Sequence, residues 1–223
     1  MSNINNIVSD RRTSTFKIVD NNGDDILEIN ASNEVKIGRV GNKTTLVNAA
    51  GFLTVGGLYA GISDGVVINN TVEQSVLPTS GVGSLTVPAN RFQVGDSFHC
   101  VVAGNCVFDK DDTIQIKLKE NGNILAQTPV FDLEGAQSGD NAFEIEIDFT
   151  IRSIGATGSI ATNFDFTYNK SGVDSKDFRG TRAMDVQSID TTVSSTLDIT
   201  VQFPTNVTPS SLQTRLFRLQ KVY

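Results

Sequence analysis

The segment from residue 141 to residue 168 reads NAFEIEIDFTIRSIGATGSIATNFDFTY and has the clearest periodicity in the chain. Apolar residues occupy every second position from Phe143 to Ile151, and acidic or polar residues fill the positions between them. The alternation resumes from Ile160 to Tyr168, after the turn-rich Gly155–Ser159. A period of two is typical of a strand with one buried and one solvated face. The segment therefore predicts two long antiparallel strands in one sheet.

Length and composition favour an all-β protein of two parts. The chain has 223 residues, of which 39% are apolar, with 19 Gly, 13 Phe and no Trp. The net charge of −7 argues against a nucleic-acid partner, since binding to phosphates depends on clustered Lys and Arg. No run approaches the ~18 apolar residues of a membrane span, and residues 1–12 lack the apolar centre of a secretory signal. The sequence therefore predicts neither membrane insertion nor export by that route.

The first 80 residues lack long periodic runs. Residues 1–15 are polar and aperiodic, which is typical of a flexible arm that docks on a partner. In residues 16–80, short apolar runs alternate with Gly and Asn turns, and short hairpins without a second layer are marginal in water. We predict a β stem completed by other copies of the chain, with a few extra strands on the main domain as the alternative. The predicted contacts between copies are Ile26, Leu27, Ile29, Leu46, Val47, Phe52, Leu53, Val55 and Leu58.

Residues 78–84, PTSGVGS, have the composition of a linker and mark the predicted boundary between the stem (16–80) and a head (81–223). Beyond this boundary the apolar runs lengthen, and no segment has a long helical period. The spacing of these runs predicts a two-sheet antiparallel sandwich of the jelly-roll type. The last strand, RLFRLQKVY, is predicted to be central or well packed.

Two cysteines and one histidine limit the available chemistry. Cys100 and Cys106 flank Ala103–Asn105, where a three-residue hairpin loop would allow a disulfide. The alternative is two buried thiols in strands. Neither cysteine has the spacing of a metal site, and His99 is interpreted as a packed or surface side chain. The sequence predicts no metal and no cofactor.

Acidic residues occur in two patterns that invite a functional interpretation. The Asp20–Asp25 cluster departs from the pattern of a calcium loop, so an Asn-Gly hairpin turn explains it better. Glu144, Glu146 and Asp148 share one face of a strand at spacings of about 7 Å, a separation compatible with paired glycosidase carboxylates. Alternating acids on a solvated face also keep a sheet soluble and block edge pairing, and we favour that interpretation. No catalytic residue is predicted.

The longest predicted loop, Asn169–Asp185, carries four basic residues and a phenylalanine. Loops of a sandwich vary without disturbing its core. We therefore predict that this loop contacts a cell-surface ligand, with a glycan as a candidate, and a simple solvated connection is the alternative. The predicted contact residues are Lys176, Phe178, Arg179 and Arg182.

Several segments resemble a family of viral proteins. SLTVPANRFQVGDSFHCVVAGNCVFDKDDTIQIKLKENGNILAQT, followed by FEIEIDFTIRSIG, FDFTYNK, TLDITVQF and LFRLQKVY, resembles the head domains of fibre and spike proteins from large DNA viruses and marine bacteriophages. KTTLVNAAGFLTVGG and ILEINASNEVKIG resemble the stem repeats of viral tail and capsid fibres. The resemblance covers about residues 16–223, and VPANRFQVGDSFH is its most specific part. It implies a homotrimer with an interwound β stem and a jelly-roll head similar to the trimeric tumour-necrosis-factor fold.

These observations predict a non-enzymatic protein of the virion surface. In this interpretation a trimeric fibre or spike is anchored to a capsid or vertex protein through residues 1–15 and attaches to the host through its head. The runner-up is a minor capsid or cement protein whose jelly roll builds the particle. A carbohydrate-active enzyme on the same β scaffold is the third alternative.

Overall fold

The computed structural model describes residues 6–10, 15–19, 25–30, 35–37, 44–47, 57–134, 136–170, 178–205 and 210–222. The chain divides into two compact units, Met1–Gly56 and Gly57–Tyr223. The described residues form strands, turns and connections and include no helix, and therefore none that could cross a membrane. The prediction of an all-β fold is confirmed.

The N-terminal unit is an antiparallel sheet in which each strand pairs with the next along the chain. Its strands are β1 (Asn6–Asp10), β2 (Thr15–Val19), β3 (Asp25–Ile29), β4 (Val35–Ile37) and β5 (Thr44–Val47). Phe16 pairs with Ile29, which confirms the predicted hairpin, although its turn at residues 20–24 lies outside the described residues. The prediction of a flexible arm over residues 1–15 is wrong for β1, which pairs with β2. Its five residues are too few to show a period before their partner strand is known.

The C-terminal unit, called the sandwich below, consists of two antiparallel sheets. The large sheet has the order β16-β15-β14-β10-β18-β6-β8, and the small sheet has the order β12-β11-β17-β7, with β13 beside β11 and β9 beside β17. The strands are β6 (Gly57–Gly61), β7 (Gln74–Ser75), β8 (Gly81–Gly83), β9 (Thr86–Val87), β10 (Ser97–Phe108), β11 (Thr113–Glu120), β12 (Asn123–Gln127), β13 (Phe131–Asp132), β14 (Ala136–Ser153), β15 (Gly158–Asn169), β16 (Phe178–Ile189), β17 (Ser195–Gln202) and β18 (Ser211–Lys221).

The pairing order has the character of a jelly roll. Eight strands form nested pairs, in which β6 joins β18, β7 joins β17, β10 joins β14 and β11 joins β12. The members of each pair lie in one sheet, and the chain passes between the two sheets as it enters each new pair. The β15–β16 hairpin extends the large sheet beyond β14. Because β18 lies between β10 and β6, the prediction of a central last strand is confirmed.

The alternation in residues 141–168 produces the core of the sandwich. β14 and β15 pair antiparallel, and the inward side chains from Phe143 to Ile151 and from Ile160 to Tyr168 are at most 6% exposed. Aromatic rings pack edge to face, as between Phe108 and Tyr168 at a centroid separation of 4.9 Å. The prediction of two long half-buried strands is therefore confirmed, and burial of these side chains from water is the main source of stability.

The boundary between the two units lies earlier than the sequence predicts. The division falls after Gly56, whereas residues 16–80 were predicted to form the stem. β6 pairs with β18, and Ile68 forms an isolated bridge with Leu212. Pro78, in the predicted linker, is buried and bridges Gly65. These partners lie up to about 160 positions away in the sequence, so local composition could not identify them.

The prediction of a hairpin between the two cysteines is wrong. β10 continues without a turn from Ser97 to Phe108, and Cys100 lies opposite Ile147 on β14. The cysteines are six positions apart along the strand, a separation of roughly 20 Å, which is far beyond disulfide range. Both are free and buried, which confirms the alternative of two thiols in a strand. Burial raises the pKa of Cys100 and of Cys106 to about 12.

Candidate functional site

Most of the predicted recognition loop is strand. β15 extends to Asn169 and β16 begins at Phe178, while residues 171–177, including Lys176, lie outside the described residues. Arg179 and Arg182 therefore belong to an edge strand of the large sheet. The loop prediction was wrong for β16 because few of its residues are apolar, which is typical of an edge strand with weakly buried faces.

The basic residues of this region are paired with carboxylates. Glu134 accepts hydrogen bonds from Lys170 Nζ at 3.0 Å and from Arg179 Nε at 2.8 Å. Hydrogen bonds from these two side chains lower the pKa of Glu134. Arg182 donates to Asp165 from Nε at 2.8 Å and from a terminal guanidinium nitrogen at 2.6 Å. An anionic ligand would have to displace these internal partners.

A cleft of about 500 Å³ opens at the opposite end of the sandwich. β11 runs from Thr113, beside β13, to Glu120, so its two ends lie at opposite ends of the sandwich. The β11–β12 turn, the β14–β15 connection and the β16–β17 connection all contribute to the cleft. Connections are where a rigid scaffold places its binding residues. The lining residues that carry its chemistry are Glu120, Asn123, Ile124, Gln187, Asp190 and Val193.

The β11–β12 hairpin places Glu120 and Asn123 side by side. Asn121 and Gly122 have φ angles of 49° and 86°, the left-handed conformation that a type I′ turn requires, and Asn-Gly is the dipeptide that favours this turn. Glu120 and Asn123 pair across the strands, and directly opposed residues point to the same face. Glu120 continues the interior face of the sandwich, because Leu118, two residues before it, is 0% exposed, whereas Asn123 is exposed at the rim of this face.

Glu120 is a buried carboxylate at a position where the strand pattern calls for an apolar side chain. It is 6% exposed, and its Oε1 accepts a hydrogen bond from Asn121 Nδ2 at 2.6 Å. Within the described part of the chain, no donor contacts its Oε2. Oε2 is not among the fully buried side-chain oxygens that lack a partner, so it is accessible in the cleft and can accept a hydrogen bond from a ligand. The sequence contained a signal for this residue, since in TIQIKLKE the acid continues the phase of Ile114, Ile116 and Leu118.

The end of β16 and the connection that follows form the opposite wall. Gln187 Nε2 donates to Asp185 Oδ2 at 3.0 Å, and Gln187 Oε1 has no donor among the described residues. Asp190 Oδ1 accepts from the hydroxyl of Thr192 at 2.6 Å and from its N–H at 2.9 Å. These hydrogen bonds lower the pKa of Asp190. The wall therefore presents an amide oxygen and an ionised carboxylate.

Aliphatic side chains separate these polar groups. Ile124 and Val193 are 44% and 46% exposed, and Ile189, at the end of β16, lines the cleft at 4% exposure. The cleft therefore combines hydrogen-bond acceptors with apolar surface, as small-molecule sites generally do. Sequence reasoning did not find it, because its walls come from segments about 65 residues apart.

Other residues considered from the sequence lie outside the cleft. Glu144, Glu146 and Asp148 are exposed on the outer face of the large sheet, which points away from the small sheet. Asp148 Oδ1 lies 2.8 Å from Nδ1 of His99 on the neighbouring strand. Within the ranges that the structure describes, no group of His, Cys, Asp and Glu side chains is arranged to hold a metal ion.

The predicted contacts between copies fall into three groups. Ile26 and Ile29 lie in β3 and are partly exposed, and Leu46 lies in β5. Phe52, Leu53 and Val55 lie outside the described residues. Leu58 lies in β6 of the sandwich, so its assignment to the stem is wrong. Leu27 also lies in β3 and is partly buried, so Ile26, Leu27 and Ile29 are the predicted contacts of the N-terminal sheet whose burial the structure describes.

The chain matches no protein-family model, no curated protein and no solved structure. Geometry and chemistry are therefore the basis for any function assigned to it.

Proposed function

We propose that the chain is a trimeric fibre or spike protein of the virion surface and that its sandwich is the head that attaches to the host. The observation that carries this proposal is the exposure of the N-terminal sheet. Among the residues there whose burial is described (15–19, 25–30 and 35–37), none is buried. Ile29 and Ile37 are 36% and 42% exposed.

Sister copies of the chain are the simplest covering layer for this sheet. Short strands without a second layer are marginal in water. Ile18, Ile26 and Leu27 are only partly buried within one chain. Complete burial of one such side chain stabilises a structure by about 1.5–3 kcal/mol relative to full exposure. A few of them per chain are enough to favour a closed, symmetric assembly.

Trimerisation would also serve attachment. Three heads on one stem bind a surface with avidity. The overall affinity then exceeds that of a single head, although no new kind of contact is made. The N-terminal residues would dock on a capsid or vertex protein of the particle. The acidic net charge of −7 fits a partner other than nucleic acid. The proposed role involves binding and assembly and requires no catalytic group or cofactor.

The mass of the full chain in solution tests the proposal. Light scattering is expected to give three times the 24.0 kDa mass of the chain. Ile29→Asp should shift the mass toward one chain, because it places a charge in the contact between copies. Ile62→Asp is the matched control, since Ile62 is 69% exposed in the sandwich, and it should leave the trimer intact. A wild-type chain that stays monomeric at high micromolar concentration would rule out the trimeric fibre.

A capsid-building or cement protein is the second candidate. The nested strand pairs favour it, because viral capsid domains are among the proteins that use jelly rolls. In that case light scattering should give a monomer or a pentamer, and the chain should bind purified particles at their vertices. The two candidates are therefore separated by the same measurement.

A further inference from the structure

We infer that the cleft between the β11–β12 turn and the end of β16 binds a neutral saccharide residue. This inference deepens the attachment proposal by giving the ligand class, and it rests on that proposal for the source of the sugar. The volume of about 500 Å³ falls within the range of roughly 300–1,000 Å³ typical of ligand pockets.

The first wall offers groups that suit adjacent hydroxyls. Glu120 is 6% exposed, and its Oε2 is without a donor in the described part of the chain. Asn123 lies directly opposite Glu120 on the same face, and its side-chain amide has no partner among the described residues. A carboxylate accepts hydrogen bonds from hydroxyl groups, while a primary amide both donates and accepts. Neighbouring hydroxyls of a sugar ring would satisfy both side chains together.

The second wall adds main-chain groups. Val186 N–H donates to Asp185 Oδ1 at 2.8 Å, so it points away from β15 and toward the open edge of the large sheet. Ser188 lies two residues further along β16, so its main-chain groups point to the same side of the strand as those of Val186. Its N–H and C=O therefore face the open edge where Ser188 lines the cleft. A ligand hydroxyl can accept a hydrogen bond from the N–H of Ser188 and donate one to its C=O.

The remaining features select among polar ligands. Ile124 and Val193 supply aliphatic surface for the C–H groups of a sugar ring. Glu120 and Asp190 are both carboxylates, so an acidic sugar would be repelled. A simple cation would leave the amide and main-chain donors without a role. A neutral polyhydroxylated ring fits the aliphatic surface, the two carboxylates, and the amide and main-chain donors.

Saturation-transfer NMR and calorimetric titration of the full chain test this inference. The probes are the methyl glycosides of glucose, galactose, mannose and N-acetylglucosamine, with sialyllactose as the acidic comparison. At least one neutral glycoside should bind, and Glu120→Gln and Asn123→Ala should each weaken it about tenfold or more, since hydrogen bonds to charged or buried polar groups are lost. Glu144→Gln, an exposed acid on the outer face, is the control and should bind normally. Asn123 is exposed at the start of β12, so its variant remains informative if Glu120→Gln fails to fold.

Three results would overturn the inference: no neutral glycoside binds, binding survives both variants unchanged, or sialyllactose alone binds. The mass measurement is interpreted separately. A monomer that binds a neutral glycoside through Glu120 would support the cleft and exclude the fibre. A trimer that binds none would support the fibre and exclude the cleft.

Discussion

The two units of this chain bury apolar residues to different extents. In the sandwich, long strands such as β10 and β14, with 12 and 18 residues, lie in the large sheet, and the small sheet covers the inner face of that sheet. In the N-terminal sheet, strands of three to five residues leave every residue of described burial at least partly accessible. Both units contain alternating Ile, Val, Leu and Phe. The contrast shows that a dry β core depends on strand length and a second layer more than on apolar content.

The difference has a consequence for folding. The sandwich supplies both of its own layers, so residues 57–223 are expected to fold without residues 1–56. The N-terminal sheet has no buried residue among those of described burial, so its order is expected to depend on other copies of the chain.

The largest effect is expected from deleting Phe217–Tyr223. The deletion removes the half of β18 that pairs with both β10 and β6, so the jelly roll loses its central strand. Cooperative melting followed by circular dichroism should disappear. Deletion of residues 1–56 is the matched comparison and should leave the melting transition of the sandwich within a few degrees. A chain ending at Leu216 that still melts cooperatively would break the contrast between the two units.

A single core truncation should have the next largest effect. Phe166 is 0% exposed, and Phe166→Ala should lower the free energy of unfolding by about 3–5 kcal/mol because it leaves a cavity. Ile29→Ala in the N-terminal sheet should change the unfolding of the sandwich by less than about 0.5 kcal/mol. Urea denaturation measures both values. Similar losses in the two variants would mean that the units unfold as one.

A charged group on the small sheet gives a smaller and pH-dependent effect. Glu73, just before β7, accepts hydrogen bonds from Lys117 Nζ at 2.6 Å, from Lys119 and from Thr200 Oγ1 at 2.8 Å. Partial burial alone would raise the pKa of Glu73, but the hydrogen bonds lower it from 4.5 to about 2. These bonds fasten the segment of β7 to β11 and β17.

The sign of the pH effect follows from the lowered pKa. The ionised form of Glu73 is favoured in the folded state, so its contribution is fully present above pH 4.5 and is lost as the pH falls toward 2. Glu73→Gln should lower the free energy of unfolding at pH 7 by about 1–2 kcal/mol, a discounted value for a partly exposed carboxylate. The variant should also flatten the loss of stability between pH 4.5 and 2 in urea titrations. An unchanged acid profile would contradict the assignment.

The smallest effect is expected for the two thiols, since neither should react with a thiol reagent in the native protein. Cys100 and Cys106 are buried, and burial raises the pKa of each to about 12, so a thiol reagent at pH 8 should label neither in the native protein. Both should react in urea. Deletion of residues 1–56 should not alter the native labelling rate, because both cysteines lie in the sandwich. Rapid native labelling would show that β10 opens locally.

Local patterns predicted much of the sandwich. The alternation of β14 and β15 was visible in the sequence because successive side chains of a strand point to opposite faces, one buried and one solvated. The Asn-Gly turn was visible because only a few residue types adopt a positive φ. The break of the periodic pattern at Glu120 was present as well, but a single acid at the end of a strand acquires meaning only beside the facing wall. That wall comes from β16, whose own pattern is weak.

The amino-acid pattern alone was enough to establish an all-β chain with long, half-buried strands in its C-terminal part, since periodicity and turn residues act over a few neighbouring positions. Three features required the folded chain: the pairing of β6 with β18, the uninterrupted course of β10 through both cysteines, and the cleft between Glu120 and Gln187. Each joins segments that are distant in sequence. Such contacts form because the whole sandwich excludes water from its interior, and no local stretch contains that information.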